Sequence, residues 1–139
     1  MQESPNEITP KDRFLQSLER CASSDQFVLT FYERFMASSE DVRRKFLFTS
    51  LETQSNKLLE SLRLSAGATN GESEALAELR ARAETHNRHH LDIKPELYDL
   101  WLDSLVDTAR EFDHEWSDSI ESAWRTILGF VIHRMTAKY

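Results

Sequence analysis

Apolar residues recur along this chain at intervals of three and four, and nowhere do they alternate at period two over the length of a strand. That pattern predicts an all-α fold. The clearest stripe is Phe27, Val28, Phe31, Tyr32, Phe35 and Met36, on a helix opened by Ser24 and Asp25 and ended by Ser38 and Ser39. Before it, Thr9 as N-cap with Pro10 in the first turn predicts a short helix carrying Phe14, Leu15 and Leu18. A short turn or helix, EDVRRKFLF, follows the stripe, and its Phe46 and Phe48 need a packing partner in an otherwise polar corner.

Thr49 and Glu52 have capping-box spacing and place the next helix at about residues 50–65. Leu51, Leu58, Leu59 and Leu62 form its buried side, with Gln54 one turn before Leu58. The segment SAGATNGES reads as a loop, and Asn70 or Gly71 starts a helix in which Leu76, Leu79 and Ala83 run straight into His86 and His90. Pro95 opens a helix to about Phe112, with Leu97, Tyr98, Trp101, Leu102 and Leu105 inward. The last helix, from about Ser117 to Lys138, presents Ile120, Trp124, Ile127, Leu128, Val131, Ile132 and Met135. Residues 1–8 read as a loose tail and residues 9–139 as one domain, since 139 residues with 40% hydrophobic content suit a single core.

Charge narrows the function. Seventeen basic against 24 acidic side chains give a net charge of -7, without the broad basic footprint of a nucleic-acid or anionic-membrane binder. A lone cysteine, Cys21, leaves no internal disulfide and no thiolate cluster, which suits a reducing compartment, and it reads as a small buried residue. The start, MQESPNE, lacks the basic and apolar regions of a secretory signal, and no apolar run approaches the roughly 18 residues of a membrane span. The chain is expected to be soluble and cytoplasmic. There is no phosphate-binding glycine loop and no evident partner for a cysteine nucleophile.

Candidate chemistry gathers at the histidines, three of the five lying between His86 and His90. An apolar stripe ending in imidazole fits a metal-ligand face, and it equally fits partly exposed histidines at a helix end, where a cation suits the helix dipole. His86 with His90, or Glu111 with His114, has ligand spacing for a metal-carboxylate bundle, but no second matching set occurs. His114 and His133 read as surface or satisfied histidines.

In chain order these features are Phe31-Tyr32 inside an apolar helix, Phe46 at the next corner, Gln54 on a buried face, His86 closing a helix, Ile93-x-Pro95-x-x-Tyr98, and Trp116 with Trp124. From about Pro10 to Met135 this order resembles a globin, and particularly the single-domain bacterial globins related to the haem domain of flavohaemoglobins. The resemblance implies helices packed around a haem b pocket with an iron ligand from the protein. Tyr32 matches the tyrosine of the distal pocket, Phe46 the phenylalanine against the haem face, Gln54 the distal polar position and Leu58 the distal apolar one. Lys57 would reach a haem propionate. Ile93, Tyr98 and Leu102 match positions that close the proximal side, and Trp116 with Trp124 the aromatic pair around the start of the last helix.

His86 matches the proximal iron ligand, with His89 and His90 as alternatives. The segment from His86 to Tyr98 is longer than the family's usual spacing, and the customary glycine after the ligand is missing. The implied function is reversible binding of oxygen or another diatomic gas, nitric oxide or carbon monoxide, with Tyr32 and Gln54 donating hydrogen bonds to it. That serves oxygen binding, sensing or nitric oxide detoxification. The last role would need a separate reductase, because the chain ends just after the last globin-like helix, and a homodimer is a further candidate assembly. The competing expectation is a haem-free globin-fold module for protein interaction or stress sensing, with its pocket filled by side chains.

Overall fold

Thr9 caps the first helix as its sequence predicts. Its side chain accepts a hydrogen bond from the Asp12 amide at 3.2 Å, Pro10 sits in the first turn, and α1 runs over Pro10–Ala22. The structure, a computed structural model, describes residues 8–47, 50–69, 71–86 and 94–137, and of residues 51–53, 85 and 86 the backbone alone. Among these residues there are seven helices and no strand. The remaining six are α2 (Phe27–Ser38), α3 (Glu40–Lys45), α4 (Leu51–Ala68), α5 (Ser73–His86), α6 (Pro95–Phe112) and α7 (Asp118–Ala137).

Most ends follow local chemistry. Ser39 accepts from the Asp41 amide at 3.1 Å to start α3, whose acidic first turn and basic last turn oppose the helix dipole. The Ser117 hydroxyl accepts from the Ile120 amide at the start of α7. Thr49, Phe48 and the Glu52 side chain lie outside the described residues, as does the tail over residues 1–7.

Three boundaries differ from expectation. Ser24 and Asp25 do not open α2, which starts at Phe27 after Gln26, a cap residue without a side-chain hydrogen bond; the Ser24 hydroxyl instead accepts from the Gln26 amide at 3.2 Å in the preceding turn. The other two are at the α4–α5 junction. The segment SAGATNGES is not all loop: α4 continues through Ala66, Gly67 and Ala68, and both alanines are buried. Alanine is the best helix former, and two buried methyl groups offset a mid-helix glycine. A Cβ at Gly67 would stand 2.7 Å from the Glu72 carboxylate, the end of a half-exposed side chain that could swing aside. The turn comes later, with Gly71 at φ 75°, and α5 starts at Ser73 rather than at Asn70 or Gly71.

In the packing, α1 lies chiefly on α7, α2 on α6, and α4 on α5, which in turn contacts α7. The main core joins α1, α2, α4, α6 and α7 around Trp124, whose ring meets Phe14 edge-on at 4.8 Å and Trp116 at 6.2 Å. A smaller cluster of Ala68, Ala75, Leu79, Ala83 and Met135 ties α4, α5 and α7 together. Cys21 is fully buried and donates weakly to the Ala109 carbonyl at 3.6 Å; burial, with Asp113 nearby, pushes its thiol up to about 12. That is a packed residue, not a nucleophile. Surface ion pairs, Lys11–Glu72 at 3.1 Å and Arg63–Glu19 at 2.9 Å, fasten α1 to α4 and the α4–α5 turn, each contributing about 0–1 kcal/mol.

A polar relay crosses the main core. The Trp124 indole donates to the Ser17 hydroxyl at 2.9 Å, and Ser17 donates to Asp113 Oδ2 at 2.6 Å. Ser17→Ala would strand the buried indole N–H and remove one donor from Asp113, so unfolding stability should fall by about 1–3 kcal/mol. Urea titration followed by Trp fluorescence measures it, and an unshifted midpoint would show that the relay adds nothing.

Candidate functional site

A cavity of about 430 Å³ opens between α4 and α5, with α6 and α7 as its floor and α2 and α3 closing one end. Its size is that of a small-molecule site. The closed end is aromatic: Phe46 meets Tyr32 at 5.5 Å and Phe35 at 6.1 Å, both edge-on, and behind them Phe31 lies tilted at 4.9 Å from Tyr32 and stacks on Phe35 at 5.6 Å. The corner phenylalanine therefore has its packing partner. Leu58 and Leu62 from α4, Leu79 from α5, Trp101 from α6 and Met135 from α7 complete a largely apolar lining.

Polar groups on this lining are few and defined. Tyr32 is 5% exposed, and its hydroxyl donates to the Gln54 backbone carbonyl at 3.3 Å, linking α2 to the start of α4. Burial pushes this phenol up to about 12, although the Arg82 charge pulls it back, so it is a protonated donor at neutral pH. Burial likewise pushes Tyr98 up to about 12. Ser61 and Ser65 face the cavity but donate to the carbonyls of Lys57 and Ser61 at 2.7 and 2.8 Å. Their protons are thus engaged by their own helix. On α5, Glu78 and Arg82 both line the cavity and pair at 3.0 Å through Arg82 Nε.

The residues singled out in the sequence distribute unevenly. Tyr32, Phe46, Gln54, Leu58 and Tyr98 come together on the cavity wall. Lys57 is exposed on α4 and off that wall, and Leu102 packs against the main core beside it. His86 is the last residue of α5; its side chain, with His89, His90 and Ile93, lies outside the described residues. Along α5, Leu79 and Arg82 line the cavity, and position 86 follows seven and four residues later in the same helical register.

Elsewhere, His114 and His133 are exposed, and Glu111 pairs with Arg34 at 3.3 Å. Among the described residues, no three His, Cys, Asp or Glu side chains gather as a metal site, and no helix is long and apolar enough to cross a membrane. Sequence reasoning passed over Glu78 and Arg82, whose four-residue spacing is that of an ordinary surface pair. Their helical register with Leu79 was the available signal.

Comparison with known proteins accounts for this architecture. The family model described as Globin matches residues 29–135. Among solved structures, the chain is similar to protein PA3967 from Pseudomonas aeruginosa PAO1, itself described as structurally highly homologous to a human hemoglobin. The two share 37% identity and superpose with a TM-score of 0.90, covering 94% of this chain and 98% of that one. No curated protein matches. Seven helices in this order, a cavity between the fourth and fifth, and a family match from α2 to α7 lead to one conclusion: the chain belongs to the globin family.

Proposed function

We infer that this globin binds haem b between α4 and α5 and uses it to hold a diatomic gas, with His86 as the iron ligand. The observation that carries the inference is the open, largely apolar cavity on which Tyr32, Phe46, Gln54, Leu58 and Tyr98 converge. A haem-free globin with its pocket filled by side chains would lack that space. The residues present suit the group: apolar walls for a flat macrocycle, Phe46 for its face, and the cations Lys45 and Arg82 on the lining for its carboxylates. Ile93 and Leu102 are assigned to the proximal surround from their matched positions.

Haem, when bound, would supply an iron that takes up a diatomic gas, and the distal residues would then decide which gas is retained. Tyr32 is the principal donor in this reading. Its phenol is neutral, buried and held near Gln54, so it can turn a proton toward a gas whose outer atom carries partial negative charge. A hydrogen bond to such an acceptor contributes roughly 1.5–3 kcal/mol, or about 10- to 100-fold in affinity. The 3.3 Å bond to the Gln54 carbonyl is long, so little is lost when the hydroxyl leaves it. The Gln54 amide is the second donor.

These features favour retention of oxygen over rapid delivery, which fits sensing, storage at low oxygen, or nitric oxide detoxification with a separate reductase in the cytoplasm. Tyr32→Phe should raise oxygen dissociation by about 10-fold or more while changing carbon monoxide dissociation much less, because carbon monoxide carries less charge. Stopped-flow displacement of each gas measures both rates. Equal changes would mean that Tyr32 acts by packing alone.

A further inference from the structure

We propose that Arg82, held by Glu78 on the wall of the cavity, is the cation that binds a propionate carboxylate of the haem, in the place that the sequence offers to Lys57. The proposal rests on the haem reading given above. Lys57 is exposed and off the cavity wall, whereas Arg82 lines it with its side chain one-third exposed. A guanidinium on an apolar lining needs a compensating anion. Glu78 supplies one through Nε, which leaves the outer Nη edge of the planar fork to face a second carboxylate.

Position also matters. Arg82 stands on α5 four residues before His86, so one helix would carry both the carboxylate anchor and the iron ligand. Arg82 lines the cavity with one-third of its side chain exposed, which puts it at the boundary between the apolar wall and solvent, where a carboxylate can meet it. Glu78 then has a positioning role. Fixed at 3.0 Å, it limits the conformations of a long side chain and reduces the entropy lost when the carboxylate is bound.

Haem loss to excess apomyoglobin tests this directly, using the holoprotein reconstituted either with haemin or with haemin dimethyl ester, which lacks free carboxylates. Arg82→Leu should lose natural haem about 10-fold faster, toward the lower end for a charge-assisted pair because the side chain is partly solvated. With the dimethyl ester, the variant and the unsubstituted protein should lose haem within about twofold of each other, since no ionised carboxylate remains to be bound. Arg82→Lys, which keeps the charge without the fork, should fall between them. Far-UV circular dichroism of each variant checks that α5 is intact.

Equal loss of natural haem from Arg82→Leu and the unsubstituted protein overturns the proposal while leaving haem binding in place. Equal acceleration for both haems also overturns it, because that marks a packing effect. Failure of the unsubstituted chain to take up haemin at all overturns the haem reading together with it.

Discussion

His86→Ala should abolish normal haem coordination. The apolar cavity would still attract haemin, but the reduced carbonyl complex would lose the sharp Soret band of an imidazole-ligated iron. Haem loss should accelerate by more than the roughly 100-fold that even an outer-sphere change can cost a metal site. His89→Ala and His90→Ala should leave both the spectrum and the loss rate unchanged. The expectation follows from the helix: Leu79 and Arg82 are on the cavity wall, and position 86 continues their register at the end of α5. A normal carbonyl spectrum in His86→Ala, with loss of it in His89→Ala or His90→Ala, would move the ligand there.

Asp113→Ala should be the most damaging substitution away from the pocket. Asp113 ends α6 with its side chain wholly buried, and it gathers four donors from three residues, two of them in α1. Arg20 donates at 2.6 and 3.0 Å, Ser17 at 2.6 Å, and the Glu115 amide at 2.9 Å. Removing the carboxylate leaves Arg20, only 20% exposed, without its main anion. Breaking such a pair costs about 3–5 kcal/mol. For a chain of this size the melting temperature should fall by roughly 10–20 °C, readable by calorimetry on the protein in a fixed ligation state.

The same residue predicts an acid limb of stability. Burial alone would raise its pKa, but the hydrogen bonds from Arg20, Ser17 and the Glu115 amide outweigh it and hold the carboxyl below its ordinary value of 3.8. A depressed folded value means that the stabilisation is present above about pH 4 and is lost as pH falls through the folded pKa. Asp113→Asn should therefore be less stable than the unsubstituted protein at neutral pH and should flatten the decline below pH 4. An unchanged acid limb in that variant would assign the decline to other carboxylates.

Much of this architecture was legible in the chain. The stripe Phe27 to Met36, the Thr9–Pro10 start and the Pro95 start each express a rule that operates within a few residues, and each helix formed where the rule puts it. Trp116 and Trp124 meet as the globin resemblance implies, and Phe46 finds Tyr32 and Phe35. What escaped was set by tertiary placement. Glu78 and Arg82 look like a solvated pair at four-residue spacing, and only the approach of α4 and α6 turns that face of α5 into a cavity wall. Asp113 reads as one acid among many after a helix, and its side-chain partners come from α1, far away in the chain, through Ser17 and Arg20. The α4 terminus moved because two buried alanines carry the helix past a glycine that local propensity treats as a break.

The central claim is haem binding in the cavity between α4 and α5. The most direct measurement is the visible spectrum of the purified protein titrated with haemin, then reduced and exposed to carbon monoxide. The account predicts saturation at one haem per chain and a sharp Soret band that shifts on carbon monoxide binding as a histidine-ligated complex does. A broad free-haemin spectrum that never saturates would contradict it.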